Sequence, residues 1–375
     1  MSSIVVKELE QKSVVWFQPS NQYLILEPTT ASIVKGISEK KDIKKMASDL
    51  ESELDIPFEK AIDFILDLEE KIVKPNTEID VQPSLNRKNY SLPKNFGYTK
   101  HYVINDKTFK VKFSNEFEVS LIHPKFAHLE IPSVSRTDHN LLVFNNGNYT
   151  YLVMDDELIG SWSKKEIHYF QGKFSMKIIE SIYEKLEEKW IGVFHASALS
   201  HGESSVMILG DSGNGKSTSL ALLQAHGFNC VADDFVPIDN EEAVHSFPAG
   251  ISIKKNSLPI LLPLYPELET SAEYHYKRLN KIVRYLPPKN IAYDTTYPCN
   301  ALIFIKYDTY VEFNLDQISS EEAFQYLVPD SWISQNPDNV TIFLDWFSSL
   351  PCYQLTYSNN KKMIETVGRI LNNDI

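Results

Sequence analysis

The chain has 375 residues, 43% of them apolar, which is enough to bury a sizeable core and predicts two domains. Its formal net charge of −13 opposes binding to nucleic acid and to anionic lipid surfaces, because both are polyanions. It has no run of 18 apolar residues and no basic-then-apolar N-terminal segment, so we expect no membrane span and no signal peptide, and a cytoplasmic protein.

The first eighty residues predict a small domain of strands followed by helices. Residues 13–28, SVVWFQPSNQYLILEP, indicate two short strands joined at a Pro-Ser-Asn turn. Apolar residues at spacings of three and four then predict three helices, around residues 31–37, 43–54 and 58–72.

Residues 74–99 carry Pro, Asn and Ser without periodicity, which is typical of a linker. We therefore expect three parts: a domain at 1–80, a linker at 81–99 and a second domain at 100–375.

The second domain is expected to begin with an antiparallel β-rich part at 100–172. Apolar residues indicate three stretches of strand, at 101–113, 117–124 and 140–154, the last with a central Asn-Gly turn. A helix is predicted from Met176 to Trp190, because its apolar residues share one face.

Three elements are predicted near the end of the chain. They are a buried strand at 301–307, a capped helix start at 319–327 and a terminal amphipathic helix at 359–371.

Residues 210–217, GDSGNGKS, match the Gly-x-x-x-x-Gly-Lys-Ser/Thr pattern of a phosphate-binding loop. A short apolar strand precedes them, and a helix pattern that stops at Gly227 follows, as this motif requires. Backbone N–H groups and the helix N-terminus would then face one anion. The residues expected to bind the nucleotide are Gly210, Asp211, Ser212, Gly213, Asn214, Gly215, Lys216, Ser217 and Thr218.

Two residues of this loop have further expected roles. Lys216 supplies a positive charge for the β and γ phosphates, and Ser217 offers a hydroxyl ligand to Mg²⁺. The expected cofactors are therefore ATP and Mg²⁺, although the sequence leaves GTP open as the nucleotide.

A pair of carboxylates, Asp233 and Asp234, follows a buried strand pattern at 228–232. In a parallel sheet the carboxyl end of this strand would share an edge with the loop. Adjacent carboxylates beside a magnesium–phosphate centre can have different roles: one binds the metal and the other accepts a proton. The alternative for this pair is a turn or a helix cap.

Residues 195–218, HASALSHGESSVMILGDSGNGKST, followed by VADD, resemble the HPr kinase/phosphorylase-type kinases. The resemblance implies an α/β fold with a P-loop kinase core, here at 190–375. It implies that Asp233 is the general base toward a protein hydroxyl and that His195 adjusts its ionisation. It also assigns Asp234 and Ser217 to the metal. Lys216, through its charge at the β and γ phosphates, is the third expected catalytic residue beside Asp233 and His195. A buried structural histidine is the alternative for His195.

The chain departs from the bifunctional members of that family at two places. Thr218 stands where those enzymes usually carry an acidic residue, and FPAGISIKK at 247–255 lacks their Pro-Gly-Arg-Asn signature. These departures argue against phosphorylase activity and against HPr as the acceptor, and the sequence leaves open whether any phosphorylase activity remains. Lys254 and Arg284 are candidates for contact with phosphate or acceptor, with solvated surface charge as the alternative.

The order of elements in the first eighty residues is similar to that of PqqD-like domains, which are small, winged-helix-like and bind leader segments of ribosomally made peptides. A generic winged-helix domain is the alternative. The two resemblances together imply a cytoplasmic kinase that phosphorylates Ser or Thr in a precursor peptide or small protein. A small-molecule hydroxyl kinase and a non-catalytic ATP-binding peptide-recognition module stay open, as does a homo-oligomer.

Overall fold

A computed structural model describes residues 4–78, 90–276 and 281–375. The fold is mixed α/β with several sheets. Contacts divide it into two compact units. The first unit comprises the described residues of Met1–Ser84 together with Ile318–Leu350, and the second comprises those of Leu85–Gln317 together with Pro351–Ile375.

The strands of the described residues are, in chain order, β1 Ile4–Leu9, β2 Lys12–Phe17, β3 Gln22–Leu26, β4 Tyr98–Ile104, β5 Lys107–Phe113, β6 His139–Asn146, β7 Tyr149–Met154, β8 Glu157–Ser163, β9 Trp190–Phe194, β10 Ser197–His201, β11 Ser204–Leu209, β12 Asn229–Asp233, β13 Val236–Asp239, β14 Ala243–Val244, β15 Ile251–Lys254, β16 Tyr274–Tyr276, β17 Lys281–Leu286, β18 Tyr297–Tyr307, β19 Phe313–Gln317, β20 Trp332–Ile333 and β21 Cys352–Tyr357.

The α-helices of the described residues are α1 Pro28–Ser38, α2 Ile43–Leu54, α3 Phe58–Leu68, α4 Lys74–Thr77, α5 Glu116–Phe126, α6 Ile167–Tyr183, α7 Lys216–Ala225, α8 Leu258–Leu261, α9 Ser320–Leu327, α10 Pro337–Ser349 and α11 Asn360–Leu371. A π-helical turn, Glu69–Val73, joins α3 to α4.

The first unit contains an antiparallel sheet in the order β1-β2-β3, with α1, α2 and α3 packed around a common core. Proline sets the start of α1, where its missing N–H costs no hydrogen bond. The Asp42 side chain caps α2 by accepting a hydrogen bond from the Lys44 amide at 3.0 Å. The two predicted strands and three predicted helices are confirmed, whereas β1 was not predicted.

Residues 318–350 also belong to the first unit, although the sequence assigned them to the second domain. The Tyr23 ring on β3 lies 5.7 Å from the ring of Phe324 in α9 and 6.1 Å from that of Phe343 in α10. The Lys7 ammonium on β1 pairs with Asp345 in α10. The first unit is therefore discontinuous in the chain. Residues 81–89 of the expected linker lie outside the described residues, and 90–97 contain no strand or helix.

The second unit begins with a five-stranded sheet in the order β4-β5-β6-β7-β8. All neighbours are antiparallel except β5 and β6, which are parallel. The strand predicted at 117–124 is wrong, because these residues lie in α5, which supplies the crossover that parallel strands require. The helix begins with a capping box in which Asn115 and Glu118 exchange side-chain to backbone hydrogen bonds.

The helix expected to continue to Trp190 ends earlier. The last helical residue of α6 is Tyr183, because Glu184 takes a left-handed conformation with φ of 52°. Trp190 is fully buried and begins β9.

The central sheet of the second unit is mixed rather than parallel. Strands β11, β18 and β21 are parallel neighbours, whereas β10 runs antiparallel to both β11 and β12. Since β11 and β12 are each antiparallel to β10, they point the same way and their carboxyl ends lie at one edge. Helices α7 and α11 cover this sheet through a shared core. The sheet therefore brings the 210–217 loop and the aspartate pair to one edge, as predicted.

Candidate functional site

The loop at 210–217 joins β11 to α7, so the strand, loop and helix follow in the predicted order. Gly210 has a φ of 139°, and a Cβ there would lie 2.6 Å from the Ile305 carbonyl oxygen. Gly215 is the N-cap of α7 with a φ of 97°. Both positions favour glycine, because an L side chain would be strained at either one and would also clash at Gly210. The loop therefore follows a backbone path that the sequence pattern encodes.

Lys216 and Ser217 are the first residues of α7. Lys216 is buried, and its Nζ donates to the Gly210 carbonyl, which holds the positive charge inside the loop. Ser217 Oγ lies 3.0 Å from Oδ2 of Asp233 and 3.2 Å from Oγ of Ser252. The loop hydroxyl expected to serve a metal is thus in direct contact with a carboxylate.

The other loop residues are fixed mainly through the backbone. The Asn214 amide donates to the Asp211 carbonyl at 3.1 Å, and the Tyr307 amide donates to the Asn214 carbonyl at 3.0 Å. Thr218 Oγ1 lies 2.6 Å from Ser257 Oγ. The loop is therefore attached both to the end of β18 and to the turn after β15.

Two lysines from the small β15-β17-β16 sheet reach the tip of the loop. Lys254 Nζ and Lys281 Nζ lie 3.2 Å and 3.1 Å from Ser212 Oγ. Burial, followed by the charges of Lys281 and Lys216, lowers the pKa of Lys254. Three ammonium groups that repel one another favour an anion between them. The structure thus brings the candidate Lys254 to the loop and adds Lys281, which was not predicted.

Asp233 ends β12 and is 1% exposed. Its Oδ1 accepts from Ser197 Oγ at 2.6 Å, and its Oδ2 accepts from Ser217 Oγ and from the Ser252 amide at 3.1 Å. Burial and the neighbouring Asp234 charge raise the pKa of Asp233, against the effect of these donors. The site therefore holds negative charge that a bound cation would stabilise.

Asp234 contacts a different set of residues. Its backbone is left-handed, with φ of 67°, a conformation that Asp tolerates better than most residues. Oδ1 lies 2.9 Å from Nδ1 of His195, and Oδ2 lies 2.5 Å from Nζ of Lys125. Burial opposes the charge on Asp234, but Lys125 and His195 outweigh it and hold its pKa well below the ordinary range. The Asp234 side chain is 35% exposed, so part of the carboxylate is accessible from solvent.

Arg284, the second basic candidate, has its guanidinium engaged elsewhere. It donates to the carbonyls of Glu269 at 2.9 Å and Ser271 at 2.7 Å, and to that of Leu268. These three bonds come from Nη1, whereas Nη2 pairs with a carboxylate oxygen of Glu273 at 2.8 Å. These bonds hold the 268–273 segment against β17, so the side chain has a structural role here.

Four residues of the site were missed by sequence reasoning, namely Lys125, Ser197, Ser252 and Lys281. Lys125 lies 109 residues before its partner Asp234, directly after the segment 117–124 that was expected to be a strand. No local motif marks a lysine at such a separation. Ser252 lies within the FPAGISIKK segment at 247–255, but its contact with Asp233 depends on the position of β15 beside α7.

Among the described residues, no group of three or more His, Cys, Asp or Glu side chains could hold a metal ion. A hydroxyl and one or two carboxylates do suit Mg²⁺, because this ion usually completes its shell with water and phosphate oxygens. Ser217 and Asp233 form such a pair. Within the same part of the chain, no helix is both long and apolar enough to cross a membrane.

The comparisons with known proteins add no further assignment. No protein-family model matches this chain, and no curated protein matches it at a significant level.

Proposed function

We propose that the chain is a kinase that uses ATP and Mg²⁺ to phosphorylate a Ser or Thr hydroxyl of a peptide or small protein in the cytoplasm. The observation that carries the proposal is the 3.0 Å hydrogen bond between Ser217 Oγ and Asp233 Oδ2. In phosphate-loop enzymes the loop Ser or Thr and a carboxylate from a neighbouring strand hold the magnesium of the nucleotide.

The contacts of the two aspartates favour the reverse of the roles assigned from the sequence. Asp233 is buried and bonded to Ser217, so we propose Asp233 rather than Asp234 as the metal carboxylate. Burial and the adjacent Asp234 charge raise the pKa of Asp233, and a bound cation would offset both effects. Magnesium bound there would neutralise charge on the transferring phosphoryl group.

Asp234 is then the carboxylate that receives the proton of the acceptor hydroxyl. Its lowered pKa makes it the weaker base of the two aspartates, which argues the other way. Access decides between them, because the Asp234 side chain is 35% exposed whereas Asp233 is only 1% exposed. The loose transition state of phosphoryl transfer also demands little basicity.

The remaining charged residues have positioning roles in this mechanism. Lys216, Lys254 and Lys281 bind phosphate oxygens at the loop, where three positive charges favour one polyanion. His195 and Lys125 hold the Asp234 carboxylate between them and fix its orientation toward the acceptor.

The acceptor class follows from the proposed kinship with HPr kinase-type enzymes and PqqD-like domains. A compact first unit with its own core and a three-stranded sheet supports a separate task for that unit, which we propose is binding a precursor peptide. An extended peptide can add to a sheet edge through main-chain hydrogen bonds.

The test is phosphoryl transfer from γ-labelled Mg-ATP to a pool of synthetic peptides that each contain one Ser or Thr. We expect labelled peptide with the full chain, and none with Lys216→Ala, whereas the exposed neighbour control Lys255→Ala is active. Binding of Mg-ATP without transfer would indicate a non-catalytic module. Transfer only to small hydroxyl compounds would indicate a small-molecule kinase, and absence of nucleotide binding would overturn the proposal.

A further inference from the structure

Strand β18 ends in an aromatic residue beside the loop. Tyr307 is 47% exposed, and three residues later Tyr310 is 95% exposed. About half of Tyr307 and nearly all of Tyr310 therefore stay in water, which leaves apolar ring area that a ligand could bury. Two exposed rings on one turn are thus available to contact a ligand.

Tyr307 is attached to the loop at two points. Its amide donates to the Asn214 carbonyl at 3.0 Å, and its Cβ lies 3.4 Å from the position that a Cβ of Gly215 would occupy. Its ring lies 5.5 Å from the Tyr357 ring at an interplanar angle of 79°, and the Tyr357 hydroxyl lies 2.8 Å from Ser219 Oγ in α7. The ring is thus held at a fixed place relative to the first turn of α7.

The order of strands gives the site a direction. From one side to the other the strands are β12, β10, β11, β18 and β21. Asp233 ends β12 on one side of the loop, which follows β11, and Tyr307 ends β18 on the other. In the proposed kinase reaction the γ-phosphate faces the carboxylates. The base of the nucleotide therefore lies on the opposite side of the loop, beside the end of β18.

We propose that Tyr307 stacks on the purine base of the bound nucleotide and so makes the site select a nucleoside triphosphate over the bare phosphate chain. The inference rests on the proposed function and assigns a subsite to it. A flat aromatic ring suits a base because every base has a π face, and stacking of this kind is tolerant of base identity. ATP and GTP are therefore both expected to bind.

The experiment compares Mg-ATP with magnesium tripolyphosphate, which has the phosphates but no base, by calorimetric titration of the full chain. For the wild type we expect tighter binding of Mg-ATP. We expect Tyr307→Ala to weaken Mg-ATP binding about tenfold and to leave tripolyphosphate binding within about twofold. Tyr307→Phe, which keeps the ring, should bind Mg-ATP like the wild type.

Two further variants make the result decisive. Tyr169→Ala removes a tyrosine that is 63% exposed on α6 and should change neither affinity. Tyr307→Leu keeps apolar bulk against Tyr357, so it replaces the alanine variant if circular dichroism shows that the latter is unfolded.

The outcomes separate this inference from the proposed function. A wild type that binds neither ligand overturns both. A wild type that binds Mg-ATP and tripolyphosphate equally well, or a Tyr307→Ala protein that keeps its preference for Mg-ATP, overturns the stacking role alone. Equal weakening of both ligands by Tyr307→Ala also overturns it, because the ring would then act on the loop rather than on the base.

Discussion

Nζ of Lys125, in the last turn of α5, lies 2.5 Å from Oδ2 of Asp234, although 109 residues separate the two in sequence. The contact ties a helix of the β-rich part to the aspartate pair at the edge of the central sheet. On its other oxygen the same carboxylate contacts His195, so two cationic or hydrogen-bonding groups fix its position.

The first prediction concerns the two aspartates, whose Asn variants should lose different properties. We expect Asp233→Asn to reduce the magnesium dependence of nucleotide binding, because the carboxylate next to Ser217 is lost. We expect Asp234→Asn to bind Mg-ATP normally and to lose about 10²- to 10⁴-fold in phosphoryl transfer. Titrations with and without Mg²⁺, together with single-turnover assays, measure both properties. The opposite pattern would restore the roles assigned from the sequence.

The second prediction concerns Lys125 as a positioning residue. Lys125→Met keeps the length of the side chain but releases Oδ2 of Asp234. We expect kcat to fall about 10²-fold with little change in Mg-ATP affinity, because a small misplacement of a reacting group has a cost of that size. The exposed control Lys164→Met should be unaffected. Loss of Mg-ATP affinity without a change in kcat would place Lys125 on the nucleotide instead.

The third prediction compares neighbouring lysines. Lys254 contacts Ser212 at the loop tip, whereas Lys255 is exposed. We expect Lys254→Ala to weaken Mg-ATP binding about tenfold, as loss of a charge-assisted phosphate contact does. Lys255→Ala should change it less than about twofold. Isothermal titration at two salt concentrations checks this, and equal effects of the two variants would mean that only the surface potential matters.

The fourth prediction concerns Arg284, whose contacts are structural. Arg284→Lys loses the planar fork that serves three carbonyls and Glu273, so we expect the free energy of unfolding to fall by about 1–3 kcal/mol. Nucleotide affinity should be unchanged. Urea unfolding and Mg-ATP titration of the same preparation measure both, and a stable variant with weakened nucleotide binding would contradict this role.

The fifth prediction concerns pH and the buried Asp239. Its carboxylate accepts from Nε2 of His245 at 2.7 Å and pairs with Lys185. Burial opposes its charge, but these partners outweigh burial and hold the pKa of Asp239 below its ordinary value of about 3.9. A carboxyl of this kind stabilises the fold above its unfolded pKa, and the stabilisation is lost as pH falls through the folded pKa.

We therefore expect Asp239→Asn to lower the free energy of unfolding by about 3 kcal/mol at pH 7. The difference from the wild type should shrink below about pH 4. Urea unfolding across a pH series measures it, with Asp156→Asn as the exposed control. A difference that stays constant down to pH 2 would mean that packing, rather than charge, is responsible.

Sequence reasoning found the elements whose signals are local. The 210–217 loop, α7 and the aspartate pair follow from glycine spacing, helix periodicity and an apolar strand, all within about thirty residues. Sequence reasoning failed where the local pattern is ambiguous or where the contacting residues are far apart in the chain. The apolar residues of 117–124 suit a strand as well as a helix, and only the capping box of α5 favours the helix. Contacts such as that of Lys281 with Ser212 depend on sheet packing that no short pattern encodes.

Because the first unit is built from two separate parts of the chain, it cannot be removed or exchanged by a single cut. Deleting the first eighty residues would remove Tyr23, on which Phe324 and Phe343 pack, and would leave α9 and α10 with an apolar face open to self-association. The activity of a chain without the first eighty residues would therefore reflect this exposed face as well as the loss of the unit's own function. An autonomous fragment would need Ile318–Leu350 grafted back onto it, and replacing the unit with a homologous one during evolution would take two coordinated exchanges rather than one.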